Sequence, residues 1–218
     1  MENKQICSLL KEYGTSTISD AMDKLGYGAG LLGIHQVSVN RPICGTAFTV
    51  RYIPCGTVKQ SVGDFIDEVE PGQIVVISNN GRMDCTVWGD IMSLYAHLHN
   101  IEGTVIDGVC RDLDKVVESD YPIYAKGAYM MTGKDRVQCE AVNVPVNMCG
   151  RMVQPGDFIL GDASGVVAVP SEIIDAVLET AQRVAEAEAR IRAEVEAGAK
   201  LKDARAKNGY HTLQTKGV

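Results

Sequence analysis

The chain has 218 residues, 45% hydrophobic and 22% charged, the balance of an ordinary folded protein and not of a disordered one. With 21 Lys and Arg against 28 Asp and Glu it carries a net charge of −7, and its aromatics are eight Tyr, three Phe and one Trp. An acidic chain poor in stacking rings argues against nucleic acid or a membrane surface as partner, and for a cation.

The opening residues Met1 to Cys7 lack a charged n-region and an apolar h-region. No apolar run approaches the roughly 20 residues that span a bilayer. Seven scattered cysteines without C-x-x-C spacing suggest neither a zinc knuckle nor a redox dithiol. Reduced thiols and a cytoplasmic location are expected.

In chain order, residues 4–25 read as helical, with Thr15 to Asp20 supplying capping residues and Ile18, Ala21, Met22 and Leu25 at helical spacing. Gly26 to Gly33 is a glycine-rich loop. Ile43 to Ile53 is rich in β-branched residues and reads as a strand. A helix is expected over Val62 to Val69, stopped by Pro71-Gly72. Gln73 to Ser78 is an almost wholly apolar run, the pattern of a strand covered on both faces. The polar segment Asn79 to Arg82 reads as a loop, followed by a helix that holds Trp88-Gly89-Asp90 and reaches Asn100.

Gly103 to Val109 is a second buried-strand pattern. Shorter strands are expected at Pro122 to Lys126, Val137 to Pro145, Val153 to Gly161 and Gly165 to Val169. A long last helix opens with Ser171 as N-cap and closes at Gly198, and the polar tail 199–218 reads as a loosely held arm. The fold class is α/β with mixed strands, divided into a core over 1–170 and a C-terminal helix and arm over 171–218.

Arg111-Asp112 directly follows the GTVIDGV strand, where residues of α/β proteins line a ligand crevice. The guanidinium suits a carboxylate and the Asp a hard cation such as Mg²⁺. Backbone N–H groups after Gly89 would give a second anion grip if a helix starts there. Read by spacing alone, the pair is more simply two solvated loop charges.

The last helix carries an apolar stripe, Ile174, Val177, Ala181, Val184, Ile191 and Val195, with Glu188 in the slot between Val184 and Ile191. A carboxylate there pairs with Arg192 or holds a cation. Glu186 points off the stripe. Cys110 reads as a packed strand-end thiol. Lys59 and Lys126 have nothing nearby that would depress their pKa for Schiff-base chemistry.

These features together resemble the RraA-like family, which includes the 4-hydroxy-4-methyl-2-oxoglutarate / 4-carboxy-4-hydroxy-2-oxoadipate aldolases. The resemblance runs from Thr17 to the end of the last helix. It rests on an Asp, twenty intervening residues and Arg-Asp, here Asp90, 91–110 and Arg111-Asp112. Supporting blocks are Gly45 to Val50, Trp88-Gly89-Asp90, Gly103 to Gly108, Val153 to Asp157 and Gly165 to Pro170.

The resemblance implies a β/β/α fold like the swivelling phosphohistidine domains, assembled as a homotrimer or homohexamer. It implies Mg²⁺- or Mn²⁺-dependent class II aldolase chemistry on 4-hydroxy-2-oxo acids, releasing pyruvate, with oxaloacetate decarboxylation as a side activity. Asp112 would be the direct metal ligand. Asp90 and, from a neighbouring subunit, Glu188 would hold the metal's water, with Glu186 as the fallback. Arg111 would bind substrate and stabilise developing negative charge, and the backbone of Gly89, Ile91 and Met92 would hold the pyruvate carboxylate. The family also implies two alternatives: a non-enzymatic regulator that binds ribonuclease E, or a lyase or decarboxylase for a different oxo acid.

Overall fold

The structure is a computed structural model that describes residues 1–57 and 62–213. Lys59 lies outside the described residues. Four strands form the centre: β2 (Ile43–Pro54), β3 (Ile74–Thr86), β4 (Gly103–Cys110) and β5 (Ile123–Ala128). β2, β3, β4 and β5 are mutually parallel, and the short β1 (His35–Gln36) closes the β5 edge. Every residue of β4 is buried, as the apolar GTVIDGV run predicts for a strand covered on both faces.

Alternation divides the core. Val75, Ile77 and Ile106 face one side with Phe48 and Trp88, whereas Ile74, Val76 and Val105 face the other with Ile43 and Tyr124. On the first side lie α2 (Asp90–Leu98) and α3 (Leu113–Glu118). On the second lie β-elements: β7 (Val146–Met148), β8 (Arg151–Val153), β9 (Phe158–Asp162) and β10 (Gly165–Val169). This is the expected β/β/α arrangement.

β2 is the hinge of the topology. One edge pairs with β3; the other is shared, Ile43 to Thr46 with β9 and Val50 to Pro54 with β6 (Val137–Val142), both antiparallel. The β9–β10 hairpin then carries a third apolar cluster, in which Phe158, Leu160, Val167 and Val169 meet α1 (Asn3–Lys24) and α4 (Ile174–Glu196). α4 thus packs on its own chain through Val177, Leu178 and Ala181, beside Ile18 and Met22 of α1.

Several expectations are corrected. Val62 to Val69 is not an α-helix: the described part holds only a 3-10 turn, Asp64–Glu68, too short between Gly63 and Pro71 to propagate α-helical bonding. Asn79 to Arg82 is not a loop between elements. β3 continues through it to Thr86, with register shifts against β4 that absorb the positive φ of Asn80 and Gly81. Trp88 and Gly89 precede α2, whose first residue is Asp90.

Ser171 does not cap the last helix. Its N–H donates to Asp157 Oδ1 (3.1 Å), and a 3-10 turn, Ser171–Ile173, comes before α4. Gly198 does follow the helix end, with φ +92° and its N–H on the Val195 carbonyl. The described tail is helical, not a loose arm. α5 (Leu201–Lys207) and α6 (Tyr210–Leu213) fold back, and Glu194 on α4 binds Lys207 (2.8 Å) and Asn208 (3.3 Å). Val195 is exposed, so the apolar stripe of α4 stops at Ile191.

Candidate active site

The site is built where β3 and β4 end. β3 delivers Val87 and Trp88 into the core, where the Trp88 ring is 2% exposed and stacks on Tyr121. Trp88 Nε1 donates to Ser93 Oγ (2.9 Å), and Ser93 Oγ in turn donates to the Gly89 carbonyl (2.9 Å). These bonds lock the strand-to-helix corner and start α2 at Asp90. The Arg111 N–H donates to the Trp88 carbonyl (3.1 Å), so the ends of both strands are held side by side.

That clamp places Arg111-Asp112 against Gly89. Arg111 Nε lies 3.2 Å from Asp112 Oδ2. A Cβ added at Gly89 would stand 2.9 Å from Asp112 Oδ2 and 3.4 Å from Arg111 Nε. Only glycine leaves room for the carboxylate to come this close to the backbone. Asp112 itself is left-handed (φ +59°) at the N-terminus of α3, a conformation that Asp tolerates better than most residues.

Asp90 stands at the N-terminus of α2, 3.3 Å from Lys115 Nζ on α3. Partial burial works against its ionisation, but the Lys115 ammonium and the Ile91 N–H outweigh it and hold the carboxyl below its usual range. Lys115 has no part in the sequence reading; its signal there was its place on the helix that follows Arg111-Asp112. The Ile91 N–H is thus directed at Asp90.

A cleft of about 430 Å³ opens beside this corner, lined by Gly89, Asp90, Ile91, Met92 and Arg111. Its far wall includes Thr132, Gly133 and Lys134, also absent from the sequence reading. Thr132 is held to Thr86 by a β-bridge, and a Cβ at Gly133 would fall 2.2 Å from the Thr86 carbonyl, so this wall lies tight against the end of β3.

The remaining candidates lie elsewhere. Glu188 lines a separate cleft between α4 and α1, with Glu12, Tyr13 and Thr17, and pairs with Arg192 at 3.0 Å. Glu186 accepts from Gln182 Nε2 (3.0 Å) on the exposed face. Cys110 is buried and its thiol is pushed up to about 12, inert as read. Lys126 binds the buried Asp107 (2.6 Å), which raises its pKa, the reverse of what a Schiff base needs.

Among the described residues, no three His, Cys, Asp or Glu side chains gather in one place suited to a metal. One chain therefore offers two hard carboxylates at this corner, Asp90 lining the cleft and Asp112 against Gly89 at its edge. That donor set fits a Mg²⁺-like cation, which binds through one or two carboxylates and keeps most of its water.

An arginine–carboxylate corner at the carboxyl edge of a β/β/α sheet defines a class of small-molecule site. A family profile described as RraA-like, Aldolase/RraA, matches residues 15–168, and the chain belongs to that family. Protein DlpA of Legionella pneumophila is 36% identical over 194 residues, 88% of this chain but 32% of that protein, so the chain spans about a third of DlpA. A Halalkalibacterium halodurans protein, provisionally named 4-hydroxy-4-methyl-2-oxoglutarate aldolase, is 33% identical over 182 residues, 82% of this chain and 83% of that one. The solved structure of an uncharacterized protein from Pseudomonas syringae pv. tomato is 40% identical, with a TM-score of 0.85 over 93% of this chain and 97% of that one. Among the described residues no helix is long and apolar enough to cross a membrane.

Proposed function

We propose that this chain is a divalent-metal-dependent carbon–carbon lyase that cleaves 4-hydroxy-2-oxo acids, such as 4-hydroxy-4-methyl-2-oxoglutarate, to pyruvate. One observation carries the reading: the Asp112 carboxylate is seated beside Arg111 against Gly89, and Gly89, Arg111 and Asp90 line one cleft. The provisional aldolase name of the Halalkalibacterium halodurans relative supports it.

Asp112, with Asp90, would hold Mg²⁺ or Mn²⁺. When bound, the cation supplies Lewis-acid stabilisation of the charge that accumulates on the 2-oxo acid. Arg111 grips the substrate and offers N–H donors to the same developing charge. The N-terminal turn of α2, at Ile91 and Met92, favours the substrate carboxylate through the helix dipole and the Met92 amide, with the Ile91 N–H shared with Asp90. A water polarised beside Arg111 takes the proton of the 4-hydroxyl, and the C3–C4 bond breaks. The hydroxyl-bearing carbon leaves as a ketone, and the bond electrons pass to C3 as pyruvate enolate. A water polarised beside Arg111 returns a proton to C3. Loss of CO₂ from oxaloacetate leaves the same enolate, so that decarboxylation is the expected side reaction.

Glu188 completes the site from a neighbouring copy in a trimer or hexamer. Ile91, 79% exposed, and the exposed Leu94 and Leu98 on the outer face of α2 are consistent with such a neighbour.

A lactate-dehydrogenase-coupled assay with Mg²⁺ or Mn²⁺ tests the reading. Pyruvate release from 4-hydroxy-4-methyl-2-oxoglutarate or oxaloacetate is expected, and Arg111→Ala and Asp112→Ala should each abolish it. No turnover of either acid with metal present would overturn the proposal.

A further inference from the structure

At the opposite end of the sheet, where β3 and β4 begin, lies a further cleft of about 550 Å³ that the proposed reaction does not use. Cys7 of α1 and Cys44 of β2 both line it. They are 37 positions apart, so spacing along the chain cannot pair them; the fold does.

Glu102 fixes the geometry. Its Oε1 accepts from Lys11 Nζ at 2.5 Å and from the Cys44 N–H at 3.3 Å. One carboxylate oxygen therefore ties the first segment of α1 to the start of β2. Cys7 sits one helical turn before Lys11 and so shares its face. It packs on the apolar cluster that contains Cys44 together with Ile6 and Leu10. Both thiols therefore border one cleft, and each perturbs the other's ionisation.

We infer that Cys7 and Cys44 form a peroxide-reactive dithiol, closing to a disulfide that staples α1 to β2.

The pair is asymmetric in the way such chemistry requires. Cys7 is only partly buried and faces the cleft, while Cys44 is 4% exposed. The Cys44 S–H and, more weakly, the Lys11 ammonium lower the Cys7 pKa against the opposing effects of burial and Glu102. The contact with Cys7 and burial push the Cys44 thiol far up. The accessible sulfur is thus the nucleophile and the hidden one the resolving thiol.

In the first step the Cys7 thiolate attacks one peroxide oxygen. The O–O bond breaks, Cys7 becomes a sulfenic acid, and the departing oxygen takes a proton and leaves as water or an alcohol. In the second, Cys44 sulfur attacks the Cys7 sulfur. An S–S bond forms, the S–O bond breaks, and the hydroxyl leaves as water with the Cys44 proton. Each sulfur gives one electron, and the peroxide accepts two.

The test uses the reduced full-length protein exposed to a small excess of hydrogen peroxide, followed by alkylation, digestion and mass spectrometry. The expected result is a Cys7–Cys44 linked peptide, loss of two of the seven titratable thiols, and reversal by dithiothreitol. In Cys44→Ser, Cys7 should instead be captured as a sulfenic acid by dimedone. Three wild-type outcomes would overturn the inference: Cys7 left unmodified, Cys7 carried to sulfinic acid without linkage, or a linkage between other cysteines. The wild-type result decides the matter whether or not the variant folds, and it is independent of the lyase assay.

Discussion

A methyl group at Gly89 would lie 2.9 Å from Asp112 Oδ2, so Gly89→Ala must move the carboxylate, the corner or both. A displacement approaching 1 Å at a catalytic group costs about 100-fold in rate. We expect that loss in kcat/KM, with the urea midpoint almost unchanged, because Gly89 has an extended φ of −151° that alanine adopts without strain. Lys115→Ala makes a different prediction. It removes the main partner that holds the Asp90 carboxyl low, so the Asp90 pKa should rise towards its ordinary value in a carboxyl NMR titration. A carboxylate lowered by folding adds stability above its unfolded pKa and loses it as pH falls through the folded one. Lys115→Ala should therefore lower stability slightly near neutral pH, with the difference from wild type vanishing as pH falls through the folded Asp90 pKa. The Asp90 and Arg111-Asp112 spacing was readable in the chain because a strand end is a predictable place for ligands. Thr132 and Lys134 were not, because only the fold brings their segment to the corner. Lys115, though close to Asp112 in the chain, meets Asp90 only through the packing of α3 beside α2.

In α1 the helix is interrupted at Gly14 (φ +76°), and its second half restarts at Thr15. Thr15 to Asp20 read as capping residues, yet the cap comes from Asp162. That carboxylate accepts from the Thr15 N–H (2.9 Å) and Thr15 Oγ1 (2.7 Å), and from the Ser164 N–H (2.8 Å) at its own hairpin turn. Composition could mark the break but not a partner 147 positions away. Asp162→Ala should destabilise the protein by about 1 kcal/mol, the usual cost of a lost helix cap, measured as a lower urea midpoint. β3 shows the converse limit. Asn79 to Arg82 has the composition of a turn, and two of its residues do take positive φ, but pairing with β4 resumes at Arg82 and Thr86. Backbone pairing across a register shift leaves no periodic trace in sequence.

Taken as a whole, the molecule sets Asp90 and Arg111 on one cleft, with Asp112 against its Gly89, and Glu188 on another. If the site is shared between copies, inactive Asp112→Ala subunits mixed with inactive Glu188→Ala subunits should regain part of the activity. No recovery, with subunit exchange demonstrated, would count against Glu188. Within one chain Glu188 pairs with Arg192 one helical turn on, as its stripe position allows. The sheet was the most legible part of the architecture. The runs Gln73 to Ser78 and Gly103 to Val109 are apolar throughout because both faces of those strands are covered. The helical tail was least legible, since the Lys207 and Asn208 contacts to Glu194 connect polar residues that look merely solvated in sequence.

The divided edge of β2 has a consequence for the order in which the chain is made. Its first residues pair with β9 and its last with β6, so a nascent chain that has emerged only as far as β5 holds β2 with one whole edge bare. Long-range pairings of this kind slow folding, and a bare edge is a template for pairing with other chains. The helical corner of the α2 side can assemble early. The layer beneath α1 must wait for the last quarter of translation, and until then the newborn protein depends on being shielded from its neighbours on the ribosome.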